Sequence, residues 1–348
     1  MMKKLYIILI LVLGCELAFA GNPDRQGEAG ASELLLNPWA RSAGLHGLST
    51  SFISGVESMR FNVAGLGRIK GTEFLFGNTR LYEGSGLGMN AFGFATNVGK
   101  SGAMGLSITS MDFGDVPITT VDQPEGIGGN INAAFFHIGA GYSYTYANKI
   151  SVGALVRVIS ESLTDVSALG AAIDAGVQYV TGEKENFKLG VSLRNVGTPM
   201  RFSGEGLSFQ TSNPEGPGRY LITVGQRAQR FELPSVLNIG SSYDIYISEE
   251  SFVRAAANFT SNAFSRDNIG VGAEVHFSDF LVLRGAYKYD IGSIPGDATN
   301  NIYTGLAAGI SLNIPIKRDS HQKVGIDYAY RTTSPFRGTH NIGVKLNI

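Results

Sequence analysis

From Gly71 to the end of this 348-residue chain, short segments recur in which apolar side chains occupy every second position. Phe136, Ile138, Ala140, Tyr142, Tyr144 and Tyr146 share one face against His137, Gly139, Gly141, Ser143 and Thr145. Ile269, Val271, Ala273, Val275 and Phe277 oppose Gly270, Gly272, Glu274 and His276. A period of two puts successive side chains on opposite sides of a sheet, so these segments read as strands with one apolar face and one small or charged face. The pattern places strands near 72–79, 88–98, 102–112, 133–146, 150–161, 168–179, 186–196, 233–246, 251–260, 268–278, 280–289, 303–313, 322–331 and 338–348.

A soluble sandwich shows the same alternation, and the connections separate the two. They alternate between short (99–101, 147–149, 180–185, 247–250, 279, 314–321) and longer (80–87, 113–132, 162–167, 197–232, 261–267, 290–302, 332–337). A transmembrane barrel has short periplasmic turns on one rim and longer extracellular loops on the other, and an even strand count. The charged fraction of 16 %, against roughly 25 % in a typical soluble domain, fits a wall that faces lipid. Backbone groups in hydrocarbon must all pair, so the first strand has to meet the last. The expected fold is therefore all-β: a 14-stranded antiparallel transmembrane β-barrel over 71–348. Tyr142, Tyr144, Tyr146, Tyr287, Tyr289, Tyr328 and Tyr330 fall near strand ends, as an interfacial aromatic girdle does.

The first twenty residues read as a secretory signal: Lys3 and Lys4, an apolar run from Leu5 to Leu13, and Ala18-Phe19-Ala20 before Gly21. Val12-Leu13-Gly14-Cys15 offers a lipoprotein-type alternative at the chain's single cysteine, and cleavage after Ala20 leaves a mature chain without one. Net charge is −1 with acidic and basic residues interspersed, so no nucleic-acid partner is expected.

No motif for catalysis, metal or cofactor binding stands out. The histidines lack a nucleophile context, and the Glu274/His276 pair on one inward face reads better as a polar lumen pair than as an active site. The expected inward charges include Arg157, Asp174, Arg194, Glu274, Arg284 and Asp327, with Lys188, Asp244, Arg254, Lys288, Arg331 and Lys345 on the same faces. Opposite charges pair across a polar barrel interior. The connections 113–132 and 197–232 are long enough to bind partners or gate a lumen.

Between the signal and the strands, residues 21–70 follow neither period. Leu35-Leu36-Asn37-Pro38-Trp39-Ala40-Arg41-Ser42-Ala43-Gly44-Leu45-His46-Gly47, then Arg60-Phe61-Asn62-Val63-Ala64-Gly65-Leu66, resembles the N-terminal signature of the PorV/PorQ family. Leu45 and His46 stand where that pattern has Met-Gly, and Val63 where it has Pro. That family is related to the FadL-type long-chain fatty-acid transporters, in which a similar segment plugs a fourteen-stranded outer-membrane barrel.

The resemblance implies a non-enzymatic outer-membrane protein of a Bacteroidota-like bacterium. It further implies either a component or accessory of type IX protein secretion, meeting translocon or cargo proteins, or a channel for hydrophobic small molecules. The small and charged inward faces favour the protein-partner role. Trp39, Arg41, Gly44, Gly47, Asn62 and Gly65 are then plug residues at the periplasmic mouth. Arg41 is a candidate partner of Asp174 or Glu274, and Gly44, Gly47 and Gly65 would permit tight turns.

Overall fold

The structure, a computed structural model, describes residues 22–212, 220–249, 251–278, 280–294, 301–316 and 322–348. The export signal over 1–20, the Cys15 alternative, His321, and Pro214, Pro217 and Gly218 of the longest loop lie outside the described residues.

Fourteen strands close into a barrel. They are β1 Thr72–Arg80, β2 Gly88–Val98, β3 Gly102–Asp112, β4 Ala133–Tyr146, β5 Ile150–Leu163, β6 Val166–Thr181, β7 Phe187–Gly197, β8 Val236–Tyr246, β9 Phe252–Asn262, β10 Asn268–Phe277, β11 Leu281–Asp290, β12 Tyr303–Pro315, β13 Lys323–Thr333 and β14 Thr339–Asn347. Each pairs antiparallel with its chain neighbours, and β1 closes on β14 from Glu73↔Asn347 to Arg80↔His340. The seam ends with Thr72 and Ile348 exchanging N–H···O bonds of 2.9 and 2.8 Å.

The alternation read from the sequence is the alternation of the wall. Along β6, Ala168, Gly170, Ala172, Asp174, Gly176, Gln178 and Val180 are buried inward, while Leu169, Ile173, Val177 and Tyr179 face out. Tyr142, Tyr144 and Tyr146 approach the short-turn rim on β4, and Tyr287 and Tyr289 approach the opposite rim on β11. One connection departs from the expected alternation. The loop expected over 162–167 is a two-residue turn, since Leu163 pairs with Val166 and Thr164 adopts φ 49°. The two long connections carry small ribbons of their own, Val116–Pro117 with Asn130–Ile131 and Ser208–Ser212 with Leu221–Gly225.

Residues 22–71 fill the lumen with single turns of helix at Ser32–Leu35, Ala40–Ala43, Ser58–Phe61 and Val63–Arg68. Three apolar nuclei pin this plug. Ala31 and Leu34 pack with Phe135, Ile159, Met200 and Leu233 near the long-loop rim. Leu45, Leu48 and Phe52 meet Ala256 and Ala286. Trp39, Val56, Met59, Val63 and Leu66 meet Leu75, Ala91, Ala95, Ala103 and Leu155. The plug reaches the short-turn rim at Arg68, which donates to the carbonyls of Asn148 and Lys149 at 3.2 and 3.0 Å.

The plug thus traverses the barrel, and its first described residues sit at the long-loop rim, not at the periplasmic mouth. Strand parity fixes only where the plug leaves, at the start of β1. Where it begins is set by apolar contact with the long β7–β8 loop, through Met200 and Leu233.

Inward glycines mark where plug and wall touch. The plug's own glycines divide between two reasons. Gly47 takes φ +80°, a turn conformation that favours glycine. Gly44 and Gly65 have ordinary backbone angles and are instead crowded: a Cβ on Gly44 would lie 2.9 Å from the Gly309 Cα, and one on Gly65 2.1 Å from the Ile53 carbonyl oxygen. Gly65→Val should cost about 1–3 kcal/mol by overpacking. The expected outcome is a plug cut by protease within a barrel that keeps its heat-modifiable gel migration. A plug as protected as in the native protein would show that this approach is dispensable.

Candidate functional site

An irregular segment in a lumen exposes backbone carbonyls that no ladder satisfies, and each buried one costs free energy unless a donor reaches it. Here the wall supplies donors along the whole plug. Asn341 Nδ2 and Thr79 Oγ1 donate to the carbonyls of Asn37 and Pro38 at 2.9 and 3.2 Å. Gln178 Nε2 donates to Thr50 and Ile53 at 3.2 and 2.9 Å. Ser192 donates to Phe61 at 2.6 Å, Arg194 to Arg60 at 2.7 Å, Ser143 to Ala64 at 2.9 Å and Thr145 to Gly67 at 3.0 Å. In the opposite sense, the Glu73 carboxylate accepts the Val56 N–H at 2.7 Å.

The motif residues each organise one stretch of the plug. The Asn37 side chain accepts the Trp39 N–H at 3.0 Å and donates to Ser42 Oγ at 3.1 Å, a local turn that starts the Ala40–Ala43 helix and turns the Trp39 ring onto Gly77. Asn62 caps the Val63–Arg68 helix by accepting from Ala64 at 3.2 Å. Its amide also donates to Thr50 at 2.9 Å and to Val177 of the wall at 3.0 Å. Gly176 lies beneath it, where a Cβ would stand 2.0 Å from Asn62 Oδ1.

Arg41 does not form the pair expected of it. Asp174 is bound by Arg157 at 2.8 Å and also accepts the Asn195 N–H at 2.6 Å. Arg157 donates to Asn195 Oδ1 at 3.0 Å, and Asn195 adopts φ 58° at a bulge between β6 and β7. Arg41 sets its charge near Glu57 and near Glu274, the other partner expected of it, with no ion pair within 4 Å among the described residues. The bulge was not legible in the sequence, because nothing in the alternation marks Asn195 as turned inward.

Charge in the lower lumen is closed on itself. Asp244↔Arg254, Arg254↔Glu274 and Glu274↔Arg284 are direct cross-strand partners. Arg254 bonds Asp244 at 2.6 and 2.8 Å and Glu274 at 3.0 Å, and Arg284 bonds Glu274 at 2.6 Å. Lys188 extends this belt from Asp244, and Ser311 links Arg284 to Asp327. Glu274 also receives His276 Nε2 at 3.3 Å, while the His276 ring stacks on Phe252 at 4.0 Å. With Glu274 held by two guanidiniums, the Glu274/His276 pair belongs to a structural network.

The upper lumen is different. Above the plug lies a cavity of about 650 Å3, open toward the long-loop rim. Leu36, Leu48, Phe61, Met111, Phe113, Val236 and Tyr303 give it apolar walls, Arg60, Arg194, Lys288 and Arg331 project into it, and Glu33, Arg266 and Asp290 complete its charged lining. Among the described residues no carboxylate lies within 4 Å of any of the four projecting cations. Arg60 and Arg194 lie 5.4 and 5.6 Å from the Phe61 ring centre, and Arg331 lies 4.6 Å from that of Tyr303. Ring faces thus take part of the charge that Asp290, near Lys288, does not balance. His46, on the plug beneath, is held well below the ordinary histidine range by burial and by Lys288 and Arg331, so it is neutral there. Lys288 and Arg331 were legible as inward residues. Their convergence with Arg60 was not, since Arg60 belongs to the plug.

One buried acid of the plug makes the pH response testable. Burial pushes the Glu57 carboxyl up, against the opposing pull of Arg41 and the Ser42 N–H that it accepts at 2.9 Å. The folded state therefore holds this proton more tightly than the unfolded one. The stability it contributes is complete below the ordinary glutamate value, about 4.3, and is lost as pH rises through the raised folded value. Urea midpoints of native protein relative to Glu57→Gln should fall between acid and neutral pH. A difference that stays flat would show Glu57 to be ionised in the folded plug.

No known protein-family profile matches the chain, and no curated protein matches its sequence. Solved structures do match. The toluene transporter TodX of Pseudomonas putida superposes with TM-score 0.54 at 12 % identity, over 89 % of this chain and 97 % of that one. The toluene transporter TbuX of Ralstonia pickettii gives 0.55 at 15 %, over 89 % and 97 %. A FadL homologue of Pseudomonas aeruginosa gives 0.53 at 12 %, over 88 % and 97 %. At such identities the likeness is one of fold, the closed antiparallel barrel that this chain forms with fourteen strands.

Proposed function

We propose that this protein is a non-enzymatic outer-membrane conduit for hydrophobic small molecules bearing an anionic group, received from outside in the upper cavity. The observation that carries this reading is the cavity itself: apolar walls for a hydrocarbon body beside four cations that outnumber Glu33 and Asp290, the acids on its lining, and that hold no carboxylate within 4 Å among the described residues. Buried cations in excess of the acids near them are costly, and an anionic ligand relieves that cost. The same feature argues against a purely hydrocarbon cargo such as the toluene of the two transporters. The fold they share with this chain supports small-molecule passage over the protein-partner role.

Lys288 is the residue to test, since its ammonium makes no hydrogen bond, and no ion pair within 4 Å, with the described residues, and Asp290 attracts it only at longer range. Charged hydrogen bonds contribute about 1.5–3 kcal/mol, or about 10- to 100-fold in affinity. Dodecanoate should bind the detergent-solubilised protein more tightly than dodecanol, and Lys288→Met should remove most of that preference. Equal binding of the acid and the alcohol would sink the anionic assignment.

A second reading, an accessory of type IX secretion in a Bacteroidota-like cell, rests on the motif resemblance over residues 35–66. It is favoured by apolar side chains exposed on the long loops, Val121 and Ile127 on one and Phe209 and Leu221 on the other. Affinity purification from native outer membranes tests it. Recovery of translocon or secreted proteins in stoichiometric amounts is its expected result, and recovery of the barrel alone removes it.

A further inference from the structure

The outward wall is almost free of charge. On the fourteen strands, the only outward ionisable side chains other than tyrosine are Arg80, Asp112 and His340. Against that background, the β7–β8 connection gathers three exposed arginines on one face. Its residues 198–203 continue the wall beside β6. Ser167 and Ser203 exchange N–H···O bonds of 2.9 Å, and Thr198 donates to the Ala171 carbonyl at 3.0 Å. Met200 turns inward onto Gly170, so in this register Arg201 turns outward beside Leu169, which is 71 % exposed. The returning strand pairs Phe231 with Met200 through two bonds of 2.9 Å, which sets Arg230 across from Arg201.

Arg201 and Arg227 also line a second cavity of about 230 Å3, with Ser203, Ser208 and Gln226. Among the described residues no carboxylate lies within 4 Å of Arg201, Arg227 or Arg230. Exposed Phe209, Tyr220 and Leu221 lie on the adjoining ribbon.

We infer that this loop is a docking site for the phosphate groups of lipopolysaccharide in the outer leaflet. The position fits. The arginines continue the lipid-facing wall at the long-loop rim, where the headgroups of that leaflet lie. The chemistry fits as well. Planar guanidiniums bind phosphate oxygens in pairs, serine hydroxyls add donors, and the apolar neighbours suit the boundary between headgroup and acyl chain. The site shares no lining residue with the chamber that holds Lys288 and Arg331, so it concerns how the barrel is held in its membrane and not what it conducts. It rests on the outer-membrane reading alone.

The test uses full-length protein in detergent, probed with diphosphoryl lipid A, the same lipid stripped of phosphate, and inorganic phosphate. Native mass spectrometry should show the phosphorylated lipid retained at least 10-fold better than the stripped one. Arg201→Gln/Arg227→Gln should abolish that preference while keeping heat-modifiable migration, and Lys288→Met should leave it intact. Equal retention of both lipids, or a preference unchanged in the double variant, overturns the site. Displacement of the lipid by inorganic phosphate at similar concentration reassigns it to a soluble anion and overturns the lipid docking. Protein that inserts into vesicles yet ignores the phosphates defeats this inference without touching the membrane barrel.

Discussion

Everything inside this barrel follows from one constraint: a segment without regular secondary structure is buried, so its carbonyls need donors from outside itself. The donors come from Gln178, Ser192, Arg194, Ser143, Thr145 and Asn341. Their spacing fixes the path of the plug, and the inward glycines between them let it approach. Gly153 and Gly190 lie where the Val63 and Thr50 backbones press against the wall. A lumen that looks featureless as a list of small and polar side chains is thus a mould for one segment of backbone.

Charge is distributed by the same logic, with opposite results at the two levels. Low in the barrel, Asp244, Arg254, Glu274 and Arg284 alternate in sign across adjacent strands. The belt from Lys188 to Asp327 is accordingly neutralised within the wall, beside Arg41 and Glu57 of the plug. High in the barrel the cations outnumber the acids near them, and aromatic faces take part of the load. The lower belt is a fixture that braces the plug, whereas the upper chamber is left with an excess of positive charge.

The wall was legible because a barrel strand has only two faces and lipid demands one of them. Fourteen strands, their boundaries to within a few residues, and the inward placement of Arg157, Asp174, Arg194, Glu274, Arg284 and Asp327 followed from a period of two. Pairings between neighbouring strands were nearly legible too, since antiparallel order sets Arg254 between Asp244 and Glu274. The resemblance over residues 35–66 pointed to a plug, but not to the direction in which the segment crosses.

The sequence by itself determined the local chemistry: which residues face lipid, which face the lumen, and which stretch has no regular structure. Only the tertiary structure decided what meets across the lumen. Arg41 lost Asp174 to Arg157 because a bulge at Asn195 brought a backbone N–H and a side-chain amide into the same pocket. The plug begins at the long-loop rim because Ala31 and Leu34 find apolar partners in Met200 and Leu233, more than 160 positions along the chain. Arg60 joins Arg194, Lys288 and Arg331 only once the plug is seated. Periodicity reports the environment of each residue along its own strand, whereas a chamber is made by residues that no local pattern relates.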